Sequence, residues 1–138
     1  MITRHAALWI DHNEALALAL DPDERSFREL AHLRAHDTHT HPTKGDGHRH
    51  PPDPRFMLAI EEVLAQCEGV VVFGPSLAKD DLIAHLDASG SPNRARIVAV
   101  AVLDRVTEGE LAAHARDVFR RADQMNGVHV TRGPRGAS

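Results

Sequence analysis

The sequence is poor in the residues that cross-link or anchor small proteins. Cys67 is the single cysteine, tyrosine is absent, and aromatic residues make up 4% of the 138-residue chain. One cysteine excludes an internal disulfide and a cysteine-rich zinc site. No apolar run approaches the roughly 20 residues that a membrane-spanning helix needs. Because residues 1–5 lead directly into a strand-like segment and not into a signal-peptide core, we expect a soluble, cytoplasmic protein.

The composition is otherwise that of an ordinary globular domain, apart from eleven histidines. Sixteen basic residues against twenty acidic ones give a net charge of -4, which argues against broad binding of nucleic acid but allows a local basic patch. The length suits one domain with a substantial core. We assign this domain to residues 1–126. Residues 127–138 are rich in glycine, arginine and proline, which predicts a flexible tail.

Hydrophobic patterning predicts three strands in the first quarter of the chain. Ala6–Ile10, Ala15–Leu20 and Ser26–Leu33 are short apolar segments separated by polar turns. Ala15–Leu20 alternates alanine and leucine, which are both strong helix formers. Its position between two turn signals favours a strand over a helix, because the segment is short. The three segments together predict an antiparallel meander.

A strand-turn-helix unit organises the second half of the sequence. Val70–Phe73 is an apolar run bounded by glycines, which is typical of a strand buried on both faces. Gly74 and Pro75 end this strand, and Ser76 is then placed to cap a helix. Arg96–Leu103 is a second near-continuous apolar segment, which predicts another strand in the interior of the sheet.

Two further helices flank this unit. Phe56–Gln66 is predicted as a helix capped by Asp53, with Glu61 facing water. Thr107 and Glu110 have the spacing of a capping box at the start of the last helix. His85 and His114 lie on helices and are expected to be ordinary surface residues. The element order βββ-α-β-α-β-α predicts an α/β, ribonuclease-H-like fold, a mixed five-stranded sheet with helices on its faces.

Residues 69–82, which read GVVVFGPSLAKDDL, resemble a known family. They are similar to the strand, small-residue turn and helix in the middle domain of archaeal and eukaryotic class I peptide-chain release factors and of Pelota. Trp9-Ile10-Asp11 before a hairpin is similar to the opening strand of that domain, and the element order agrees over about residues 4–122. The resemblance implies the fold of these translation-machinery domains and a partnership with the ribosome or structured RNA.

The sequence departs from the release factors in the loop between the third strand and the first helix. The release factors carry Gly-Gly-Gln there, and this triplet hydrolyses peptidyl-tRNA. The corresponding loop here, residues 36–54, contains Gly45-Asp46-Gly47 and no glutamine. The middle domain of Pelota also lacks the triplet and acts by binding. The resemblance therefore implies a non-catalytic, ribosome-associated protein.

The same loop is rich in histidine, which makes metal binding the alternative function. Neutral imidazole is a good ligand for zinc, nickel or copper. Two H-x-H pairs place imidazoles on one face of an extended segment. The competing interpretation is a solvated polar loop, because structural zinc sites usually include cysteine. The candidate zinc or nickel ligands are His36, His39, His41, His48 and His50.

Two sets of residues are candidates for binding RNA phosphates. Lys44, Arg49 and Arg55 lie in or beside the histidine-rich loop, where protonated histidines would add positive charge below about pH 6.5. Ser76 and Lys79 lie at the start of a helix, where free backbone amides attract anions. In the competing interpretation Ser76 only caps the helix and Lys79 is solvated.

A hydrolytic enzyme is the third hypothesis. Asp11 and Asp104 follow strands and Glu61 or Glu62 lies on the first helix, so these carboxylates are candidates for holding two metal ions. Both aspartates occupy ordinary turn positions, which favours a structural role. Cys67 lies between a helix and a buried strand, where packing is the expected role. The sequence leaves the oligomeric state open.

Overall fold

The structure, a computed structural model, describes residues 3–21, 26–35 and 53–130. Within these ranges five strands form one sheet and three α-helices pack on its faces. The elements in chain order are β1 (Thr3–Ile10), β2 (Glu14–Leu20), β3 (Phe27–Arg34), α1 (Pro54–Leu64), β4 (Cys67–Gly74), α2 (Ala78–Ser89), a 3₁₀ turn (Pro92–Arg96), β5 (Ile97–Val102) and α3 (Glu108–Val130).

The strands lie in the order β3-β2-β1-β4-β5. The β1–β2 and β2–β3 pairs are antiparallel, whereas β1–β4 and β4–β5 are parallel. The predicted meander is confirmed, and Ala15–Leu20 is part of β2, paired with β1. The fold class predicted from the sequence, an α/β fold with a mixed five-stranded sheet and helices on its faces, is therefore confirmed.

β4 is the most deeply buried strand. Val70, Val71 and Val72 are at most 1% exposed and Phe73 is 3% exposed. Parallel pairing requires the crossover helices α1 and α2, which cover one face of the sheet, and α3 covers the other face. Burying an apolar side chain of this size contributes about 1.5–3 kcal/mol. This short run is therefore a large part of what holds the two layers of helices to the sheet.

Successive side chains of β4 point to opposite faces of the sheet, and the core therefore has two layers. Val70 and Val72 face α1 and α2, whereas Val71 and Phe73 face α3. The buried helix residues that complete the two layers include Phe56, Ile60, Val63 and Leu64 of α1, Leu82 and Leu86 of α2, and Leu111, Ala115 and Phe119 of α3.

Capping side chains define where α1 and α3 begin. Asp53 accepts a hydrogen bond of 3.0 Å from the Arg55 amide. The Thr107 amide donates to the Glu110 carboxylate at 2.9 Å, and the Glu110 amide donates to the Thr107 hydroxyl at 3.1 Å, so the predicted capping box is confirmed. α3 continues through Val130, into the segment assigned to a tail, and residues 131–138 lie outside the described ranges. No helix in the described part of the chain is long and apolar enough to cross a bilayer.

β5 lies at the edge of the sheet, so its predicted place in the interior is wrong. Ile97 is buried, but Val98, Val100 and Val102 are 48%, 38% and 71% exposed. An uninterrupted apolar run is typical of a strand with two neighbours. The run by itself does not show whether a second neighbouring strand is present, and this is why the sequence pattern misplaced β5.

A polar cluster, called here the Glu61 bracket, ties α1 to α2 and to the 3₁₀ turn. The Glu61 carboxylate accepts from the Ser91 hydroxyl at 2.9 Å and from the Asn93 side-chain amide at 3.3 Å. Its other oxygen lies 2.8 Å from Nε2 of His85. The predictions that Glu61 faces water and that His85 is an ordinary surface residue are wrong, because their side chains are only 19% and 32% exposed.

The first testable consequence concerns Gly74, where β4 passes close to β1. A Cβ atom at this position would lie 2.2 Å from the Ile10 carbonyl oxygen. We expect Gly74→Ala to lower the free energy of unfolding by about 3 kcal/mol, because the backbone must shift to admit the methyl group. Urea unfolding measures this. The control is Gly109→Ala, where a Cβ meets no described heavy atom within 4 Å, and its effect should stay below about 1 kcal/mol.

A second consequence follows from the charge of the Glu61 bracket. The hydrogen bonds from His85 and then Ser91 lower the pKa of Glu61 from its ordinary value of 4.5. The ionised Glu61 carboxylate therefore stabilises the folded protein. Its contribution to the free energy of unfolding is fully present above pH 4.5 and is lost as the pH falls through the lowered pKa of the folded state. We expect Glu61→Gln to flatten this part of the pH dependence of unfolding. Glu62→Gln, at an exposed neighbour, should keep the wild-type slope, and equal slopes in all three proteins would contradict the assignment.

Candidate functional site

The carboxyl ends of β1, β3 and β4 lie along one edge of the sheet, called here the carboxyl edge. β4 is parallel to β1, and β3 runs in the same direction because both β1 and β3 are antiparallel to β2. The turns at residues 11–13 and 75–77 and the loop at residues 103–107 therefore meet at this edge. In open α/β sheets, ligands bind outside the carboxyl ends of the strands. This edge is the candidate site.

The described elements on both sides of the histidine-rich loop, residues 36–54, meet the carboxyl edge. The Ala35 amide donates to the Asn13 carbonyl at 2.9 Å, so the end of β3 is held beside the β1–β2 turn. α1 begins at the same edge, because its far end leads into β4 at the opposite edge, where the Thr3 amide donates to the Gln66 carbonyl at 2.7 Å. Outside the described residues lie the candidates His36, His39, Lys44, His41, His48, Arg49 and His50.

The phosphate candidates on α2 are engaged within the protein. Leu77 is the N-cap of α2, so the prediction of Ser76 as the cap is wrong, although its hydroxyl lies 3.5 Å from the first helical amide. Lys79 is 7% exposed, and its Nζ donates to the Ser76 carbonyl at 2.6 Å. Asp80 and Asp81 add negative charge to the same turn. Phosphate binding here stays a prediction, and Lys79 would have to leave this carbonyl to reach a phosphate.

The remaining phosphate candidate, Arg55, lies in the first turn of α1 and is exposed. Its backbone amide is used by the Asp53 cap, but its guanidinium belongs to the solvent-facing side of the helix. Arg55 therefore lies at the carboxyl edge, directly after the histidine-rich loop of residues 36–54. Its position fits the predicted role without testing it.

An ion pair between buried Glu14 and exposed Arg105, at the carboxyl edge, was missed by the sequence analysis. Glu14 is 8% exposed and accepts from the Arg105 guanidinium, and Nε2 of His32 lies 2.7 Å from the same carboxylate. Arg105 also lies over the Trp9 ring, 5.0 Å from its centroid, and the Trp9 indole donates to the Leu103 carbonyl at 3.1 Å. These contacts fasten the loop after β5 to the start of β2. In the sequence, the only indication of this ion pair is that Glu14 ends a polar turn.

The carboxylates considered for hydrolysis have structural partners or lie in solvent. Asp11 accepts from the amides of Asn13 and Glu14 at 2.8 and 2.9 Å, which is the geometry of a side chain that closes a turn. Asp104 is exposed. No group of three or more histidine, cysteine, aspartate or glutamate side chains that could hold a metal lies among the described residues.

Two other groupings of reactive residue types are explained by packing. Ser91 donates its hydroxyl to Glu61 and not to His85, so the three side chains lack the serine–histidine contact of a hydrolytic triad. Cys67 is fully buried, its Sγ lies 3.4 Å from the Val63 carbonyl, and burial raises the pKa of its thiol. A buried thiol with a raised pKa is unreactive, in line with the predicted packing role.

Comparison with solved structures gives matches to Pelota. Pelota from Thermoplasma acidophilum matches over 91% of this chain and 42% of its own, with 14% identity and a TM-score of 0.56. Pelota from Archaeoglobus fulgidus matches over 90% of this chain and 38% of its own, with 16% identity and a TM-score of 0.50. An archaeal translation termination factor, aRF1, matches over 88% of this chain and 39% of its own, with 13% identity and a TM-score of 0.48.

No family model and no curated protein matches the sequence. The chain spans about two fifths of the Pelota chains that it matches. At 14% and 16% identity the likeness shows the fold, and it extends over about nine tenths of this chain. The resemblance carried by residues 69–82 is therefore confirmed at the level of structure: the chain has the fold of the release-factor-like domain of Pelota.

Proposed function

We propose that this domain is a translation-related, release-factor-like module that binds the ribosome or structured RNA without hydrolysing peptidyl-tRNA. One observation carries the proposal. The fold is similar to that of Pelota over about nine tenths of the chain, and the described residues on both sides of the histidine-rich loop lie at the carboxyl edge. The resemblance to release factors implies that this loop corresponds to their Gly-Gly-Gln loop. A cytoplasmic location belongs to the same proposal, because ribosomes work there.

The binding surface that we propose consists of the histidine-rich segment and the adjoining start of α1. Lys44, Arg49 and Arg55 would supply charge for RNA phosphates, whereas Ser76 and Lys79 would make a secondary contact. The buried carboxylate of Glu14 is already neutralised by its ion pair, so it opposes an approaching phosphate less than an unpaired carboxylate would. Since the chain carries a net charge of -4, binding depends on this local cluster and weakens steeply with salt.

Co-sedimentation with ribosomes tests the proposal. We expect the wild-type protein to pellet with ribosomes at low salt, and Arg49→Glu/Arg55→Glu to weaken this binding about tenfold or more by reversing two phosphate contacts. The matched control is Arg120→Glu/Arg121→Glu, which reverses two exposed charges on α3.

The control variant should bind as the wild type does. A wild-type protein that stays in the supernatant at low salt would refute the proposal. So would an equal loss of binding in the two double variants, because that would show a response to net charge alone.

Binding of zinc or nickel by the histidine-rich segment is a second candidate function. The anchoring of both ends at one edge favours it, because closing the loop in advance lowers the entropy cost of bringing two H-x-H pairs together. One pair is His39 and His41, and the other is His48 and His50. A metal held there would sit beside the proposed RNA contacts.

Isothermal titration calorimetry with zinc and with nickel separates this function from RNA binding alone. We expect replacement of His39, His41, His48 and His50 by asparagine to abolish the heat of binding. Affinity should also fall at least tenfold as the pH drops through about 6.5, because protonated imidazole cannot ligate a metal. The control replaces His12 and His114, which are exposed in the described structure. Unchanged heats in the first variant would exclude the segment as the metal site.

A further inference from the structure

The two outer strands of the sheet, β3 and β5, expose different kinds of side chain. The β3 edge has charged or titratable side chains exposed to solvent, at Arg28, Glu29, His32 and Arg34. Such side chains discourage an edge strand from pairing with another chain. β5 reads IVAVAV and has none, and three of its valines are exposed. One edge is thus protected by charge, whereas the other presents an apolar strand.

The backbone of β5 directs its free hydrogen-bonding groups away from the sheet. The Leu103 amide donates to the Gly74 carbonyl at 3.0 Å, which sets the odd-numbered residues to face β4. Alternate residues of a strand bond to opposite sides, so Val100 and Val102 direct their amides and carbonyls outward. The register with β4 shifts at Val98 and is regular from Ala99 onward. The outward-facing groups near Val100 therefore lie in undistorted strand.

We propose that β5 pairs antiparallel with β5 of a second copy of this chain, about a two-fold axis at Val100. A two-fold interface must be self-complementary. The segment Val98-Ala99-Val100-Ala101-Val102 reads the same in both directions. In this register Val100 lies opposite its own copy and Val98 opposite Val102. The backbone groups of Val100 and Val102 face away from β4, as those of a hydrogen-bonded pair in an antiparallel ladder must, whereas Val98 lies at the register shift.

The charges that flank β5 have opposite signs, which suits an antiparallel pairing of two copies. Asp104 is exposed after the end of β5. Arg96 precedes β5 in the 3₁₀ turn and is bonded at 2.9 Å to the Asn93 side chain and at 2.7 Å to the Cys67 carbonyl of its own chain. Antiparallel pairing brings the two ends of β5 near each other, so charges of opposite sign avoid repulsion between the copies.

A short strand pair covers less than the roughly 1,200–2,000 Å² of a standard stable interface. The dimer is therefore weak and depends on protein concentration, with a dissociation constant in about the micromolar range. It lies along a lateral edge of the sheet, away from the carboxyl edge. The proposed dimer is thus independent of the proposed ribosome binding, and either proposal can fail without affecting the other.

Sedimentation velocity over roughly two orders of magnitude in protein concentration tests for the dimer. We expect a monomer-dimer transition in the wild type, and a dissociation constant raised at least tenfold by Val100→Lys, which places two like charges on the axis. The control, Leu58→Lys, changes an apolar residue of α1 that is 59% exposed and should leave the transition unchanged. A wild type that stays monomeric throughout, or no difference between the two variants, overturns the proposal.

Cysteine cross-linking tests the register. Paired residues on the axis lie about 5.5 Å apart at Cα, within reach of a disulfide, so Val100→Cys should form a covalent dimer under mild oxidation. Val102→Cys should cross-link at least tenfold less, because two copies of this residue lie about 13 Å apart. The native Cys67 is fully buried and does not compete. Equal cross-linking of the two variants would overturn the two-fold axis at Val100.

Discussion

The parallel pairing of β1 with β4 is the constraint on which the rest of the structure depends. Two parallel strands cannot be joined by a tight turn, so the chain must cross back through a helix before β4 begins. The crossover helices α1 and α2 cover one face of the sheet and α3 covers the other, so the run Val70–Phe73 is almost entirely buried. The parallel pairing of β4 with β1 and with β5 therefore fixes where α1 and α2 lie.

The same constraint creates the candidate site. The loops that follow strands of one direction lie at one edge, which brings together the end of β3, the turn before α2 and the loop after β5. Within the described residues, the side chains at this edge hold the scaffold in place: Asp11 closes a turn, and Glu14 binds Arg105. This is why recognition, and not hydrolysis, is the function that we propose.

Local signals in the sequence were sufficient for most of the architecture. The buried strand Val70–Phe73 and the capping box at Thr107 depend on residues close together in the chain, and both were predicted correctly. The Glu61 bracket and the contact of Arg105 with Glu14 depend on segments that meet only in the folded chain. The local periodicity of the sequence does not predict contacts between segments that are distant in the chain. The edge position of β5 was missed for the same reason, since it depends on which strands of the described chain lie beside β5 and not on the residues of β5.

Hydrogen–deuterium exchange of the protein, alone and saturated with ribosomes, is the most direct measurement of whether the carboxyl edge is a binding platform. Amide exchange reports protection segment by segment. The account predicts that ribosomes slow exchange in residues 11–14, 35–55 and 74–79 and leave β3 unchanged. Protection confined to β3 or to the far end of α3, or no protection at all, would contradict it.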